Sequence, residues 1–287
     1  MNVPIIDTHQ HLIYPELYPY GWTDGVPALA DKAFREEDYQ LAIQGTGIAR
    51  TIFMETTPDG DHFHQETREV CRLAESPGSL IAGVIANGRP EGPGGFGVYL
   101  DGIAHPKLVG IRRILHVEPD ELSTTGHFVE NVRMLGPRNL TFDMCFMARQ
   151  LPLAVDLAGK CPEVQFILDH CGVPDVAAGA LDPWRDRIRE LAALPNVACK
   201  ISGVIAYADP AKATADAVRP YVEHCIESFG WDRVVWGSDW PVCLTTSSLA
   251  RWVSITREIV SGADLADQHK LFHGNAERIY LKNRGFV

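Results

Sequence analysis

This 287-residue chain lacks the features that mark several large classes of protein. Lys and Arg number 26 against 37 Asp and Glu, giving a net charge of −11, and no basic cluster interrupts that excess. Surfaces that bind nucleic acid or anionic membranes need such clusters, so the composition argues against both partners. No apolar run approaches the roughly 20 residues of a membrane-spanning helix. The N-terminus has no basic segment followed by an apolar stretch, and we expect a cytoplasmic protein.

Several sequence signatures are also missing. The seven cysteines are scattered, odd in number and without a Cys-x-x-Cys pair, which favours reduced core residues over a disulfide framework. No Gly-x-Gly-x-x-Gly follows the first apolar run and no Walker sequence occurs, which disfavours a nucleotide-binding doubly wound sheet. No Gly-x-Ser-x-Gly indicates a serine nucleophile. Linkers, repeats and low-complexity tracts are absent from the sequence, so we predict a single domain over residues 1–287.

Eight apolar, β-branched runs are present, with helical patterns between many of them. Such continuous apolarity is typical of parallel strands that are covered on both faces. Eight strand–helix units in fewer than 300 residues predict a (β/α)8 barrel. The predicted strands span residues 5–12, 50–56, 80–87, 108–115, 140–146, 164–171, 197–202 and 233–240. The clearest helical segments span residues 61–74, 151–160, 184–194, 213–229 and 249–261.

Polar side chains end three of these runs. His9 and His11 close the first and share one face of the strand, because side chains alternate along a strand. His170 closes the sixth run and Asp239 the eighth, so a barrel brings all four to its carboxyl-terminal face. Three imidazoles and a carboxylate make either a site for one divalent metal ion or a metal-free acid/base cluster. The residues themselves leave both readings open.

The chain resembles the amidohydrolase superfamily, whose barrels carry His-x-His on strand one and Asp on strand eight. The resemblance covers essentially the whole chain, and its details are similar to the lactonase branch, which includes fuconolactonase, other sugar lactonases and 2-pyrone-4,6-dicarboxylate lactonase. The segments that carry it are Asp7-Thr8-His9-Gln10-His11, Gly110-Ile111-Arg112-Arg113, Phe142-Asp143, Leu168-Asp169-His170-Cys171-Gly172-Val173-Pro174, Lys200-Ile201-Ser202-Gly203, Trp236-Gly237-Ser238-Asp239-Trp240-Pro241 and Phe272-His273-Gly274-Asn275-Ala276.

The resemblance implies hydrolysis of a lactone, with a sugar-acid lactone such as L-fuconolactone as the expected substrate and Asp239 as the general base. Arginine stands on strand four where binuclear members carry a bridging lysine, and strand five presents Asp143 and Cys145 instead of a histidine. We therefore expect at most one divalent ion, such as Zn²⁺, held by His9, His11, His170 and Asp239. A metal-dependent decarboxylase of an unsaturated or aromatic acid, a lactone isomerase and a catalytically silent barrel are the alternatives.

Five further residues are candidates for binding substrate. Arg112 has a forked guanidinium that suits a carboxylate or paired oxygens, although it could instead pair with Asp143. Lys200 could bind substrate or pair with an acid, and Glu55 could be a hydrogen-bond acceptor or one side of a salt bridge. Asp143 and Trp240 complete the set, with structural pairing and packing as their alternatives. The sequence leaves open whether the chain forms a homo-oligomer.

Four other positions receive structural interpretations. His62 and His64 form a second His-x-His, but at the start of a predicted helix, where the two side chains are about 200° apart. We assign them to capping or the surface. Asp169 precedes His170, and alternation along a strand predicts that it points away from the pocket. By the same argument Arg113 points away from the lumen when Arg112 faces it.

Overall fold

A computed structural model describes residues 3–92 and 95–281, and within them eight parallel strands form one sheet in the order of the sequence. Each strand pairs with the next, as buried, β-branched segments joined by crossover helices do. The strands are β1 Ile5–Gln10, β2 Ile48–Met54, β3 Ile81–Asn87, β4 Leu108–Ile114, β5 Thr141–Cys145, β6 Phe166–Leu168, β7 Val197–Ile201 and β8 Val234–Trp236.

Helices occupy the connections between the strands. They are α1 Glu36–Ala42, α2 Phe63–Leu73, α3 Phe96–Gly102, α4 Gly126–Arg133, α5 Leu151–Lys160, α6 Trp184–Ala192, α7 Ala215–Phe229, α8 Leu249–Ile259 and α9 Leu265–His269, followed by two π-helical segments, Lys270–Gly274 and Glu277–Leu281. The sequence patterns had predicted α2 and α5 to α8. They missed α1, α3, α4 and α9, which have only five to eight residues and too few turns for a clear helical period.

The first and last strands close the ring through residues that follow β8. The backbone N–H of Asp239 donates to the carbonyl of His9 over 2.8 Å, and that of His11 donates to the carbonyl of Trp240, also over 2.8 Å. The side chain of Asp7 adds a contact by accepting from the N–H of Ser238 at 2.8 Å. The predicted (β/α)8 barrel is confirmed by this topology. Closure also fixes the position of Asp239 beside His9.

Two apolar clusters hold the barrel together. The larger one lies between the strands and the surrounding helices. The smaller one contains inward-facing strand residues such as Ile52, Ile85 and Val235, together with Ala276 and Tyr280 from the last described segment. No helix in the described ranges is long and apolar enough to cross a membrane. The single-domain organisation stays a prediction.

Candidate active site

The four side chains singled out in the sequence meet at the carboxyl-terminal end of the barrel. His9 lies on β1 and His11 directly after it, while His170 and Asp239 lie in the turns that follow β6 and β8. His170 and Asp239 have left-handed backbone, with φ of 54° and 56°. This conformation costs about 1–3 kcal/mol in residues other than glycine and persists only where the surrounding structure enforces it. The two side chains are therefore held in orientations that a relaxed turn would not give.

The polar atoms of this group are close together and shielded from solvent. His9 Nε2 lies 3.1 Å from His11 Nε2, and the two nitrogens lie 3.5 and 3.4 Å from Asp239 Oδ1. The second carboxylate oxygen of Asp239 lies 4.0 Å from His170 Nδ1. His170 Nδ1 also lies 3.0 Å from the hydroxyl oxygen of Ser202. All of these residues are at most 5% exposed, so one compact polar centre faces the interior of the site.

The donor atoms of this centre fit a divalent metal ion. His11 Nδ1 lies 3.0 Å from the carbonyl oxygens of both Met54 and Glu55. Carbonyl oxygens only accept hydrogen bonds, so Nδ1 carries the hydrogen and Nε2 presents its lone pair to the centre. Ligand atoms of His9, His11 and Asp239 all lie within 4.8 Å of one another. A nitrogen pair beside a carboxylate oxygen is a donor set that zinc and related ions accept.

Burial also keeps the histidines in the form that binds metals. It lowers the pKa of His9 well below its usual value, and the charges of Lys200 and His170 add to this effect although Asp169 opposes it. Burial likewise lowers the pKa of His170, against the attraction of Asp239. Neutral imidazole is therefore the favoured state of both rings. That state offers a lone pair to an electrophile or a metal ion.

A cavity of about 310 Å³ opens above this centre. Its lining is mixed, with charged and polar groups as well as apolar ones. The polar lining consists of His11, Glu55, Thr56, Thr57, Arg112, Arg113, His116, Glu118, His170, Tyr207 and Asp239, and the apolar lining of Trp22, Ile114, Val117 and Val242. A larger opening of about 540 Å³ lies elsewhere, beside Phe63 and Tyr99, and none of the four central residues lines it.

Arg112 lines this cavity as predicted, but its charge is already compensated. Its Nε donates to Asp169 at 2.9 Å and its Nη1 to Glu55 at 3.2 Å. Burial opposes the charge of Arg112, but the carboxylates outweigh it and raise the pKa of the guanidinium. The prediction that Asp169 points away is wrong. The chain leaves β6 after Leu168, so alternation along a strand no longer applies to Asp169.

Lys200 and Asp143 lie beneath the centre, not among the described residues that line the cavity. Lys200 Nζ lies 2.6 Å from Asp143 Oδ1 and 3.0 Å from Asp169 Oδ1, and all three residues are fully buried. Asp143 also accepts from the Tyr280 hydroxyl at 2.9 Å. These contacts account for both residues as an internal ion pair, and substrate contact by Lys200 and Asp143 stays a prediction. The ammonium is needed inside the barrel because two buried carboxylates face it.

Trp240 and Glu55 also have structural contacts that account for them. Trp240 is 2% exposed, packs edge-on against Phe34 and Tyr39 and is not among the described residues that line the cavity, so packing accounts for it and stacking on a substrate stays a prediction. Glu55 does reach the cavity, but one of its oxygens accepts from Arg112 and the other from Thr57 and Asn87. Its carboxylate therefore orients the neighbouring groups. Substrate contact by Glu55 stays a prediction.

The second His-x-His does not join the site. His62 precedes α2 and lies 3.1 Å from Gln65 Oε1, whereas His64 borders the opening beside Phe63. Tyr207 and Trp22 line the cavity although neither was among the individual site candidates; only the aromatic insertion that contains Trp22 was expected to shape the pocket. Tyr207 lies after β7 with its ring 6.1 Å from that of His170, and Trp22 lies on the long segment after β1. Their positions depend on how long connections fold back over the barrel.

Arg113 differs from the strand-alternation prediction. It borders the cavity together with Arg112, and its Nη2 lies 2.9 Å from Glu118 and also contacts Glu91. Arg113 is near the end of β4, where a long side chain can turn back towards the opening. Both arginines at the cavity are therefore matched by nearby carboxylates.

The chain has relatives among known proteins. Residues 6–282 match the family described as amidohydrolase. The chain belongs to the amidohydrolase family. It is 29% identical over 241 residues to the L-fucono-1,5-lactonase of Burkholderia ambifaria, covering 83% of this chain and 80% of that protein. A Burkholderia multivorans protein of the same name is 33% identical over 186 residues, 61% of this chain and 63% of that one.

A solved amidohydrolase structure has the same fold. It is a Burkholderia multivorans protein with bound zinc, which superimposes with a TM-score of 0.87 at 26% identity and covers 96% of this chain and 99% of that one. The predicted resemblance to the amidohydrolase superfamily and its lactonase branch is confirmed by these relatives. The prediction of an amidohydrolase-type enzyme is confirmed as well.

Proposed function

We propose that this amidohydrolase hydrolyses the lactone ring of a sugar acid, with an L-fuconolactone-like compound as substrate. One observation carries the proposal: Asp239, His11 and His170 line a cavity, with His9 buried beside them, in a chain whose relatives include L-fucono-1,5-lactonases. Ring opening needs a base for water and positive polarisation at the carbonyl. Asp239 supplies the base, and the guanidinium of Arg112 or an ion held by the imidazoles would supply the polarisation.

The charges of the cavity favour a neutral substrate. Arg112 pairs with Asp169 and Glu55, and Arg113 pairs with Glu91 and Glu118. A dicarboxylate would have to compete with these four acids for the two guanidinium groups. A neutral hydroxylated lactone can accept and donate hydrogen bonds without breaking the pairs. The apolar wall formed by Trp22, Ile114, Val117 and Val242 suits an alkyl group on such a ring.

Proton transfers in this reaction need only groups that the chain holds. Asp239 takes a proton from water as the water attacks the lactone carbonyl. The tetrahedral intermediate collapses, the bond from the carbonyl carbon to the ring oxygen breaks, and the proton held by Asp239 passes to that oxygen. Water supplies the second oxygen of the product acid, and no covalent enzyme intermediate is required. Arg112 donates hydrogen bonds that orient the substrate oxygens.

One divalent ion is compatible with this scheme. His9 and His11, through Nε2, together with Asp239 and His170, would hold it, and the protonated Nδ1 of His11 supports that assignment. A bound ion would polarise the carbonyl and make water easier to deprotonate. Zinc is our proposal for the ion because nitrogen-rich donor sets suit it. The protein groups keep the roles given above in either case.

Proton release from a panel of lactones tests this function. The panel contains aldono-1,5-lactones, aldono-1,4-lactones and 2-pyrone-4,6-dicarboxylate, and the enzyme has a measured metal content before and after chelation. We expect stereoselective hydrolysis of neutral deoxy-sugar lactones, a lower kcat/KM for the dicarboxylate, and loss of activity on chelation that Zn²⁺ restores. Absence of release across the panel would contradict the proposal. CO₂ release from an aromatic acid or ring isomerisation would assign the alternatives.

Gly203 provides a separate check on the geometry of the centre. A Cβ at this position would lie 2.3 Å from His170 Nδ1 and 2.9 Å from Asp239 Oδ2, and its φ is +60°. We expect Gly203→Ala to displace both side chains and to lower kcat/KM by about 100-fold. Gly179→Ala is the matched control, because φ there is +68° and nothing lies within 4 Å of an added Cβ. Equal kcat/KM values in the two folded variants would disprove the tight arrangement.

A further inference from the structure

A second group of metal-binding side chains lies behind the active site. Cys171 belongs to the turn after β6, Cys199 to β7 and Cys225 to α7, so three separate segments contribute one thiol each. The three Sγ atoms lie within 4.8 Å of one another, and each residue is 0% exposed. The other four cysteines are buried as well, but none of them belongs to such a group among the described residues.

The spacing of the three sulfurs is close to that of a trigonal metal site. An ion at the centre of a triangle whose edges are at most 4.8 Å lies at most about 2.8 Å from each corner, whereas a zinc–sulfur bond is about 2.3 Å long. Each sulfur therefore has to move by no more than about 0.5 Å, which a small rotation about its Cα–Cβ bond provides. We propose that Cys171, Cys199 and Cys225 form a structural site for one thiophilic divalent d¹⁰ ion, of the Zn²⁺ or Cd²⁺ class.

Ligand chemistry and burial determine the class of ion. Three sulfurs with no carboxylate or imidazole in the group favour a soft ion over Mg²⁺ or Ca²⁺. Binding releases three protons, and three thiolates around a divalent ion leave one net negative charge. A monovalent ion would leave two negative charges in the same apolar interior, which is less favourable. The site is closed to solvent, as structural metal sites are, so the ion enters while the chain folds.

The position of this thiol group links it to the catalytic centre without making it part of that centre. Cys171 directly follows His170, and both have left-handed backbone with φ of 54°. Cys171 Sγ also lies 3.8 Å from the carbonyl oxygen of Lys200, next to Cys199 on β7. An ion bound to the three sulfurs would therefore tie the turn that carries His170 to β7 and α7. Its expected effect is a higher melting temperature.

Cadmium loading tests the site. The full chain is expressed in medium containing Cd²⁺, purified under reducing conditions and dialysed against a mild chelator that strips open sites. We expect one retained Cd²⁺ per chain, an ultraviolet sulfur-to-cadmium charge-transfer band and a raised melting temperature. Nitrogen and oxygen ligands give no such band, so ions at His9, His11 and Asp239 do not imitate the signal. The readout does not depend on lactone turnover.

Variants assign the signal to the three cysteines. Cys225→Ala and Cys199→Ala should each lose the retained ion and the band, whereas Cys161→Ala should keep both, since Cys161 is equally buried but lies outside the group. Absence of the band in the unaltered protein overturns the proposal even if one variant fails to fold. An undiminished band in folded Cys225→Ala overturns it as well. So does the finding that two of the three cysteines form a disulfide in the purified protein.

Discussion

Asp239→Asn should lower the turnover of lactones by about 10²–10⁴-fold, the usual contribution of a general base. The amide is nearly isosteric but cannot accept a proton from water. Asparagine also tolerates the left-handed backbone that Asp239 adopts, so the turn should persist. The measurement is kcat and KM on the best lactone of the panel, with circular dichroism to verify the fold. We expect the loss in kcat, with KM little changed.

The same variant separates two roles of the carboxylate. Asp239 is both the proposed base and a proposed metal ligand, so the metal content of each protein is measured and the assay is repeated with saturating Zn²⁺. An inactive, metal-loaded variant supports the role as base. Recovery of near-normal turnover with added Zn²⁺ would contradict that role and leave only ligation. Asp186→Asn is the matched control, because Asp186 is an exposed acid paired with Arg189 on α6.

Lys200→Met should reduce the free energy of unfolding by about 3–5 kcal/mol, the range for breaking a buried ion pair from one side. Methionine has a similar length but no charge, so Asp143 and Asp169 would remain buried without the ammonium that lies 2.6 and 3.0 Å from them. Burial disfavours the charged form of Lys200, but the two acids outweigh it and raise its pKa. The lysine is therefore charged in the folded protein.

Denaturant unfolding provides the measurement for Lys200→Met. We expect a lower midpoint with an unchanged slope, since the fold and its buried surface are preserved. Lys160→Met is the control, because Lys160 forms an exposed pair with Asp156 on α5 that is worth less than about 1 kcal/mol. A Lys200→Met midpoint equal to that of the control would show that the buried charges do not depend on the lysine.

Residue patterns predicted the architecture because the barrel depends on a repeated local rule. Each buried parallel strand reads as a short apolar run, and the order of the runs fixes the order of the strands. The polar ends of the runs likewise identified His9, His11, His170 and Asp239, because strand ends in a barrel share one face. The resemblance to known proteins added the assignment to the amidohydrolase superfamily. Short elements such as α1 and α3 were missed because seven residues give too little periodicity.

The side-chain directions predicted from alternation along a strand were wrong at or near the ends of strands. β6 ends at Leu168, so Asp169 turns inward to Arg112, and the long side chain of Arg113 turns back from near the end of β4. The structure also shows that Lys200 forms buried ion pairs with Asp143 and Asp169. In the sequence this lysine is only an isolated charge in an apolar run. These outcomes depend on contacts between residues far apart in the chain.

The sequence by itself determined the barrel, its polar end and the four residues that meet there, since these follow from periodicity and strand order. Only the tertiary structure decided which charges are neutralised, which side chains border the cavity and which cysteines lie together. Local sequence patterns predict which way a side chain points from its helix or strand. They do not predict how close two helices or strands lie in the fold. The grouping of Cys171, Cys199 and Cys225 is the clearest example, because its first and last members are 54 positions apart in the sequence.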